Sequence, residues 1–288
     1  MRPKKLGHRL SEPHILFPLL TMVLLVVIWS AAYELIRTRH QSALQQAQET
    51  ARDMAVTYHA QLLRTLREIE LSISMVAYVQ EGQPAGTAVN VLVDRGMLPS
   101  AMLFSVSIYD GLGQLLASNS AGATTLSGPV LEAIIASNPE DHLWISTAQF
   151  DEHAHRWSLI FVRSLSQTIQ SSPLIITVTI DAEFFVSSYE ATRLGEQGML
   201  ALIDDNGRVL VRRSGDTIDI DGPLITDDVP ASLLAGDGHL VEFAHPFDNI
   251  NRFYTTQRLF GFPLTLVTGV SVDEQMADAT IISLQCCF

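Results

Sequence analysis

Cysteine is almost missing from this chain. The only two, Cys286 and Cys287, are adjacent at the C-terminal end. No disulfide framework can staple the globular part, so its stability must come from apolar cores. Basic residues are also sparse: 18 Lys and Arg stand against 31 Asp and Glu, for a net charge of -13 and a pI near 5.0. Phosphate backbones are bound by clustered Lys and Arg, so this balance excludes an extended nucleic-acid surface. Signature catalytic motifs are absent too: no G-x-S-x-G, H-E-x-x-H, Walker loop, GGDEF-type box or kinase-like His box occurs, and no paired acids stand beside an obvious base. No catalytic residue, cofactor or resident metal is therefore assigned, and the chain reads as a non-enzyme.

Charge is also missing from Ile15 to Tyr33, ILFPLLTMVLLVVIWSAAY. At about nineteen apolar residues this run is long enough to cross a bilayer as one helix. Arg2, Lys4, Lys5 and Arg9 precede it against the single acid Glu12. The positive-inside rule holds such a basic tip, residues 1–14, in the cytoplasm and sends the bulk of the chain to the far side. In a bacterium that side is the periplasm, with the chain single-pass in the inner membrane. A cleaved signal peptide is the competing reading, because Ser30, Ala31 and Ala32 are small. The length of the run and the lack of a break before the next helix favour the anchor.

From Glu34 to about Tyr78 there is neither Pro nor Gly, and Ala, Gln, Leu, Arg and Glu dominate. These are good helix formers, so a stalk helix is expected over residues 34–80. Its apolar positions, Leu44, Ala47, Ala51, Met54, Tyr58, Leu62, Leu66, Ile69, Ile73 and Val76, follow steps of three and four. That is a heptad stripe with a stutter. It can pack on the chain's own globular part or form the seam of a parallel homodimer, and both readings stay open.

The remainder carries an internal repeat. Met102 to Tyr109 reads as a strand, Asp110 to Gly113 as a turn, and Gln114 to Ser118 as its partner. The same figure returns with Met199 to Ile203, Asp204 to Gly207 and Arg208 to Arg212. Asp110 aligns with Asp204, Gly113 with Gly207, and Leu116 with Leu210. Each hairpin is followed by a helical piece, Gly128 to Ser137 or Pro230 to Ala235. Three β-rich runs come next: Leu143 to Ala148, Trp157 to Leu165 and Leu174 to Ile180 in the first copy, and Leu240 to Ala244, Phe253 to Leu259 and Leu264 to Val270 in the second. The expected fold class is α+β: a transmembrane helix, a long helix, and two tandem modules of roughly five antiparallel strands with flanking helices. The modules span residues 81–180 and 181–271, bridged by a helix over Ala182 to Glu190. An exit helix begins at Val272, with residues 272–288 opening a second span that is not completed.

These residues carry a family resemblance. The phrase MLALIDDNGRVLV from Met199 and the phrase FYTTQRLFGFPLTLVTGVSVDE from Phe253, with its turn at Gly261 to Pro263, resemble the second module of double Cache, PAS-like, extracytoplasmic sensor domains of bacterial membrane receptors. The resemblance covers roughly residues 34 to 279 and is closest to sensors fused to diguanylate cyclases. It lacks the amino-acid-recognition signature of some members. It implies a small-molecule pocket in the membrane-distal module and an output module in the cytoplasm after a second span. A diguanylate cyclase is the expected output, ahead of a histidine kinase or chemoreceptor.

Within the first module, Tyr109, Trp144, Asp151, Arg156, Trp157 and Arg163 are the candidate ligand residues. Either Arg156 or Arg163 can grip a carboxylate as a planar fork, and Trp144 and Trp157 can wall a cavity. Against this, the tryptophans also suit a sheet core, and alternation can turn Arg156 to solvent. His153 and His155 beside Asp151 lack a third metal ligand at suitable spacing and read as a solvated hairpin tip. Thr217 to Asp228 only partly mimics a calcium loop. Gly111 and Gly113 sit in a hairpin turn rather than opening a dinucleotide-binding helix.

The expected function is a membrane-anchored periplasmic sensor of a small molecule such as an amino acid, organic acid or amine. Its ligand biases a two-state helix device. Because the sequence stops at Phe288, either a truncated or frame-shifted receptor or a stand-alone anchored binding subunit is expected. The alternative from another class is an anchored interaction or structural protein that binds another protein and no small ligand.

Overall fold

The computed structural model describes residues 13–277 apart from 103, 138–142, 152–154, 170–171, 188–193, 224–236 and 246–247. The chain divides into one unit of Gln48–Glu274, which holds both sheets, and another made of Met1–Ala47 with Gln275–Phe288. In the latter, Leu20, the run Met22 to Trp29, Tyr33 and Leu35 expose their side chains on a helix. Among the described residues no helix is long and apolar enough to cross a membrane. The expected span over residues 15–33 falls partly outside the residues whose side chains are described.

Helix α1 runs from Pro13 to Gln80 without interruption, as the absence of Gly, and of Pro after Pro18, allows. It ends where Gln80 turns back. Its side-chain amide donates to the Gln83 and Pro84 carbonyls, and its Oε1 accepts from the Gly86 and Ala88 N–H groups. Those bonds join α1 to α2 (Thr87–Asp94). The stripe from Tyr58 through Leu62, Leu66, Ile69, Ile73 to Val76 is buried within one core cluster together with residues of both sheets. It packs on the chain's own domain, so this part of the stripe has no surface left to serve as a dimer seam.

The first sheet contains β1 (Ser105–Tyr109), β2 (Leu115–Ser118), β3 (Trp144–Ile145), β4 (Gln149–Asp151), β5 (Arg156–Ile169) and β6 (Ser172–Asp181), with α3 (Gly128–Ser137) after β2 and α4 (Phe184–Ser187) after β6. Its order is β2-β1-β6-β5-β3, and β4 also pairs with β5. The second contains β7 (Met199–Asp204), β8 (Arg208–Ser214), β9 (Thr217–Pro223), β10 (Asp237–Ala244), β11 (Asn251–Arg258) and β12 (Leu264–Ser271), in the order β10-β11-β12-β7-β8-β9. All pairings are antiparallel. In both sheets the last strand returns to pair with the first strand of the hairpin, which makes the two copies topologically alike.

Both sheets have six strands where about five are expected. The run Leu143 to Ala148 is not one strand. Only Trp144–Ile145 within it pair, as β3, and a separate short strand, β4, follows at Gln149–Asp151; the two cap different parts of the long β5. The stretch from Thr217, read as a partial calcium loop, is instead strand β9 against β8, with Arg212 paired to Asp219 at 3.0 Å. The expected helix Pro230 to Ala235, the end of the bridging helix Ala182 to Glu190 and the end of the exit helix lie outside the described residues.

The repeated turn is built the same way twice. Asp110 Oδ1 accepts from the Leu112 and Gln114 N–H groups at 2.9 and 2.8 Å, and Asp204 Oδ1 from those of Asn206 and Arg208 at 2.9 and 2.8 Å. Gly113 and Gly207 both adopt φ of 76°, a left-handed backbone that a side chain would strain. Asp110→Ala and Asp204→Ala are each expected to lose about 1–2 kcal/mol through two backbone donors left unpaired. Equal shifts of the urea midpoint in the two variants are the check.

Candidate functional site

Strict alternation along the first sheet separates two faces. Val106, Ile108, Leu159, Phe161, Ile176, Val178 and Ile180 point into the core shared with α1. The opposite face carries Ser105, Ser107 and Tyr109 of β1, Ser158 and Ile160 of β5, and Thr179 of β6. These residues floor a cleft of about 510 Å³. Its walls come from the segment after β2, which includes Thr124, Thr125 and Ser127, and from Gln149, Phe150, Asp151 and Arg156 of the β4–β5 hairpin. The segment after β2 is held by Asn119, whose Oδ1 accepts from Val106 N–H at 2.8 Å and whose amide donates to the Phe104 carbonyl at 3.1 Å. Farther along the same face, α3 seals the sheet with Val130 and Ile134 against Tyr109, Val162 and Ile175.

Of the six candidate residues, three line the cleft: Tyr109, Asp151 and Arg156. Asp151 and Arg156 stand opposite each other in register across β4 and β5. Burial pushes the Tyr109 phenol above its ordinary pKa, and the neighbouring hydroxyls of Ser107 and Thr177 oppose that shift. The other three lie elsewhere. Trp144 packs on the Tyr109 and Val162 cluster. Trp157 faces the α1 side, with Phe150 at 5.3 Å between ring centroids. Arg163 also faces α1, where it donates to Ser74 Oγ at 3.0 Å and stands 4.0 Å from Glu70. His153 lies outside the described residues, and His155 sits at a turn with φ of 49°. Among the described residues no group of three His, Cys, Asp or Glu could hold a metal.

Sequence reasoning passed over the hydroxyl floor, although its signal is present. SVSIY over β1 and TVTI within β6 alternate a small hydroxyl with an aliphatic, the pattern of a strand with one face in a core and one in a polar cavity.

The second sheet holds a buried polar cluster on its own far face. Arg252, fully buried, donates to Asp248 from both terminal nitrogens, at 3.0 and 2.6 Å, and also to Tyr254 Oη, Ser214 Oγ and the Gln197 carbonyl. Gly269 leaves room for this. A Cβ there would come within 2.6 Å of the Tyr254 ring. Gln197 N–H donates to Glu274 Oε1 at 3.0 Å, which ties the cluster to the residues that open the exit helix. Burial pushes Asp248 up, but hydrogen bonds from Arg252, Ile250 and Ser214 outweigh it and hold the carboxyl below its ordinary range. Burial, reinforced by Arg212, lowers His245. Burial raises Tyr254 to about 12.

A long helix laid along two antiparallel sheets, with a cleft on the free face of the first, is a fold this chain shares with solved extracellular domains of the Cache type. Solved structures similar to this chain are domains of that kind. The extracellular domain of rpHK1S-Z16, assigned as a histidine kinase, has a TM-score of 0.60 at 19% identity, covering 80% of this chain and 97% of that one. The ligand-binding domain of the Pseudomonas fluorescens chemoreceptor CtaA, in complex with L-isoleucine, has 0.59 at 12% identity, covering 83% and 98%. That of the Pseudomonas aeruginosa amino acid chemoreceptor PctB, in complex with L-Gln, has 0.57 at 12%, covering 83% and 98%. No protein-family model matches the sequence, and no curated protein does. At these identities the likeness shows the fold alone. The similar structures are extracellular or ligand-binding domains.

Proposed function

We propose that this chain is the periplasmic, ligand-binding input part of a membrane-anchored bacterial receptor, of the type that drives a diguanylate cyclase. The observation that carries the reading is the cleft on the free face of the first sheet, in a fold shared with extracellular ligand-binding domains. Its membrane-distal module is residues 81–180 and its membrane-proximal module 181–271. The charge-free run at 15–33 supports an inner-membrane anchor with a cytoplasmic N-terminus. The absence of a catalytic motif supports a non-enzymatic role. Tyr109, Asp151 and Arg156 are the ligand residues of the notional six that the cleft brings together. The ligand is a small polar molecule from among amino acids, organic acids and amines. A homodimer through the outward face of α1 would use Val56, Leu71 and Tyr78, which are exposed.

A thermal-shift screen of the full chain in detergent against those three classes tests the reading. At least one compound is expected to raise the melting temperature saturably, and Arg156→Gln to reduce that response. Arg163→Ala is expected to leave ligand affinity unchanged, because its guanidinium faces α1. No stabilisation by any compound, together with a stable protein partner recovered by crosslinking, would sink the sensor reading.

A further inference from the structure

The hydroxyls on the cleft floor narrow the ligand, given the sensor reading on which this step rests. Ser105 and Thr179 are register partners across β1 and β6, as are Ser107 and Thr177, and Ile160 brings β5 and its Ser158 alongside Thr179. Five short hydroxyl side chains therefore share one patch of sheet. Ser107 donates to Ser118 Oγ at 2.9 Å. Among the described residues Ser105, Ser158 and Thr179 line the cleft with no side-chain hydrogen bond. Thr177 Oγ1, in a residue with no exposed surface, lies beside the Tyr109 phenol at the edge of this patch. Buried hydroxyls left unpaired are costly, and native proteins almost always pair them with protein, water or ligand. Thr124, Thr125 and Ser127 add hydroxyls from the facing wall.

At one end of this surface stands Arg156, which makes no ion pair or side-chain hydrogen bond among the described residues. A guanidinium offers five donors and no acceptor, and it matches a carboxylate with a planar fork. Asp151 beside it is a carboxylate of the lining, the single one among the described residues, and a carboxylate accepts from hydroxyl groups. Among the described residues the apolar lining is Ala123, Leu126, Val130, Phe150 and Ile160.

We infer that the cleft takes a polyhydroxylated carboxylate, of the sugar-acid or hydroxy-acid class, with the carboxylate on Arg156 and the hydroxyls on Ser105, Ser158, Thr179 and Asp151.

The test is a calorimetric titration of the full chain in detergent with D-gluconate, hexanoate, D-glucose, L-isoleucine and L-glutamine. D-Gluconate is expected to bind, with hexanoate and D-glucose each at least about tenfold weaker, since each lacks one half of the match. Thr179→Val keeps the β-branched shape and is expected to weaken D-gluconate about three- to tenfold without lowering the melting temperature of the free protein. Arg156→Gln is expected to weaken it about ten- to a hundredfold. Equal binding of D-glucose overturns the carboxylate assignment, and equal binding of hexanoate overturns the hydroxyl assignment. Binding of an amino acid with D-gluconate silent overturns the inference and leaves the sensor reading standing. Silence from all five probes overturns the inference, and the sensor reading falls with it only if the wider screen is also silent.

Discussion

Arg252→Met is expected to lower the unfolding free energy by about 3–5 kcal/mol, because it strips a buried carboxylate of its counter-charge. Arg252 has no exposed surface, and Asp248 is 17% exposed. Removing the guanidinium leaves Asp248, Tyr254 Oη, Ser214 Oγ and the Gln197 carbonyl each short of a donor. The double variant Arg252→Met with Asp248→Leu is expected to recover a large part of the loss, since it removes the charge as well as its partner. Urea midpoints of the two single variants and the double variant give the cycle. Additive losses would show that the two groups do not act as a pair.

The same cluster sets an acid limit. The folded-state pKa of Asp248 lies below its unfolded value of 3.8, so its stabilising contribution is complete above that value and is lost as pH falls through the folded pKa. The folded-state pKa of His245 lies below its unfolded value of 6.5, so between the two the unfolded chain binds more protons and stability falls as pH drops below about 6.5. Tyr254 works in the other direction. With its folded pKa raised from 10.0 to about 12, stability falls as pH rises above 10. A urea midpoint measured from pH 4 to pH 8 is expected to rise with pH, and His245→Gln to flatten the upper part of that rise.

Leu66→Ala is expected to cost about 2–5 kcal/mol, the range for emptying a fully buried leucine site. Leu66 has no exposed surface and sits in the one core cluster that includes Ile108 and Phe161 of the first sheet and Leu202 and Leu266 of the second. Because that cluster spans both sheets, the loss is expected to lower a single cooperative transition, with near- and far-ultraviolet dichroism still coincident. The shift is expected to be independent of protein concentration. A concentration-dependent shift would place Leu66 in a seam between copies instead.

Much of the fold was legible because the repeat is written in turn chemistry. An Asp that caps two N–H groups and a Gly at positive φ leave the same mark at Asp110 and Gly113 as at Asp204 and Gly207. That only Trp144–Ile145 of the run Leu143 to Ala148 pairs, with β4 following as a separate short strand, was not legible. Composition does not say that a long β5 will offer two short stretches of edge where one was expected. Strand β9 was hidden for a related reason: alternating Asp and Ile reads as a ligand loop until Arg212 is seen across from Asp219. The candidate site was half legible. Residue type picked out Tyr109, Asp151 and Arg156, but it also picked Trp157 and Arg163, which chain parity turns to the opposite face.

By itself the sequence determined the uninterrupted helix, the charge-free run at its start and the two-fold repeat. These depend on local propensity, periodicity and charge, all of which act along the chain. Only the tertiary structure decided what the heptad stripe packs on, which arginine meets the cleft, and that unpaired serine and threonine hydroxyls gather on one floor. Those outcomes depend on strand register, and register brings together residues that are far apart in sequence.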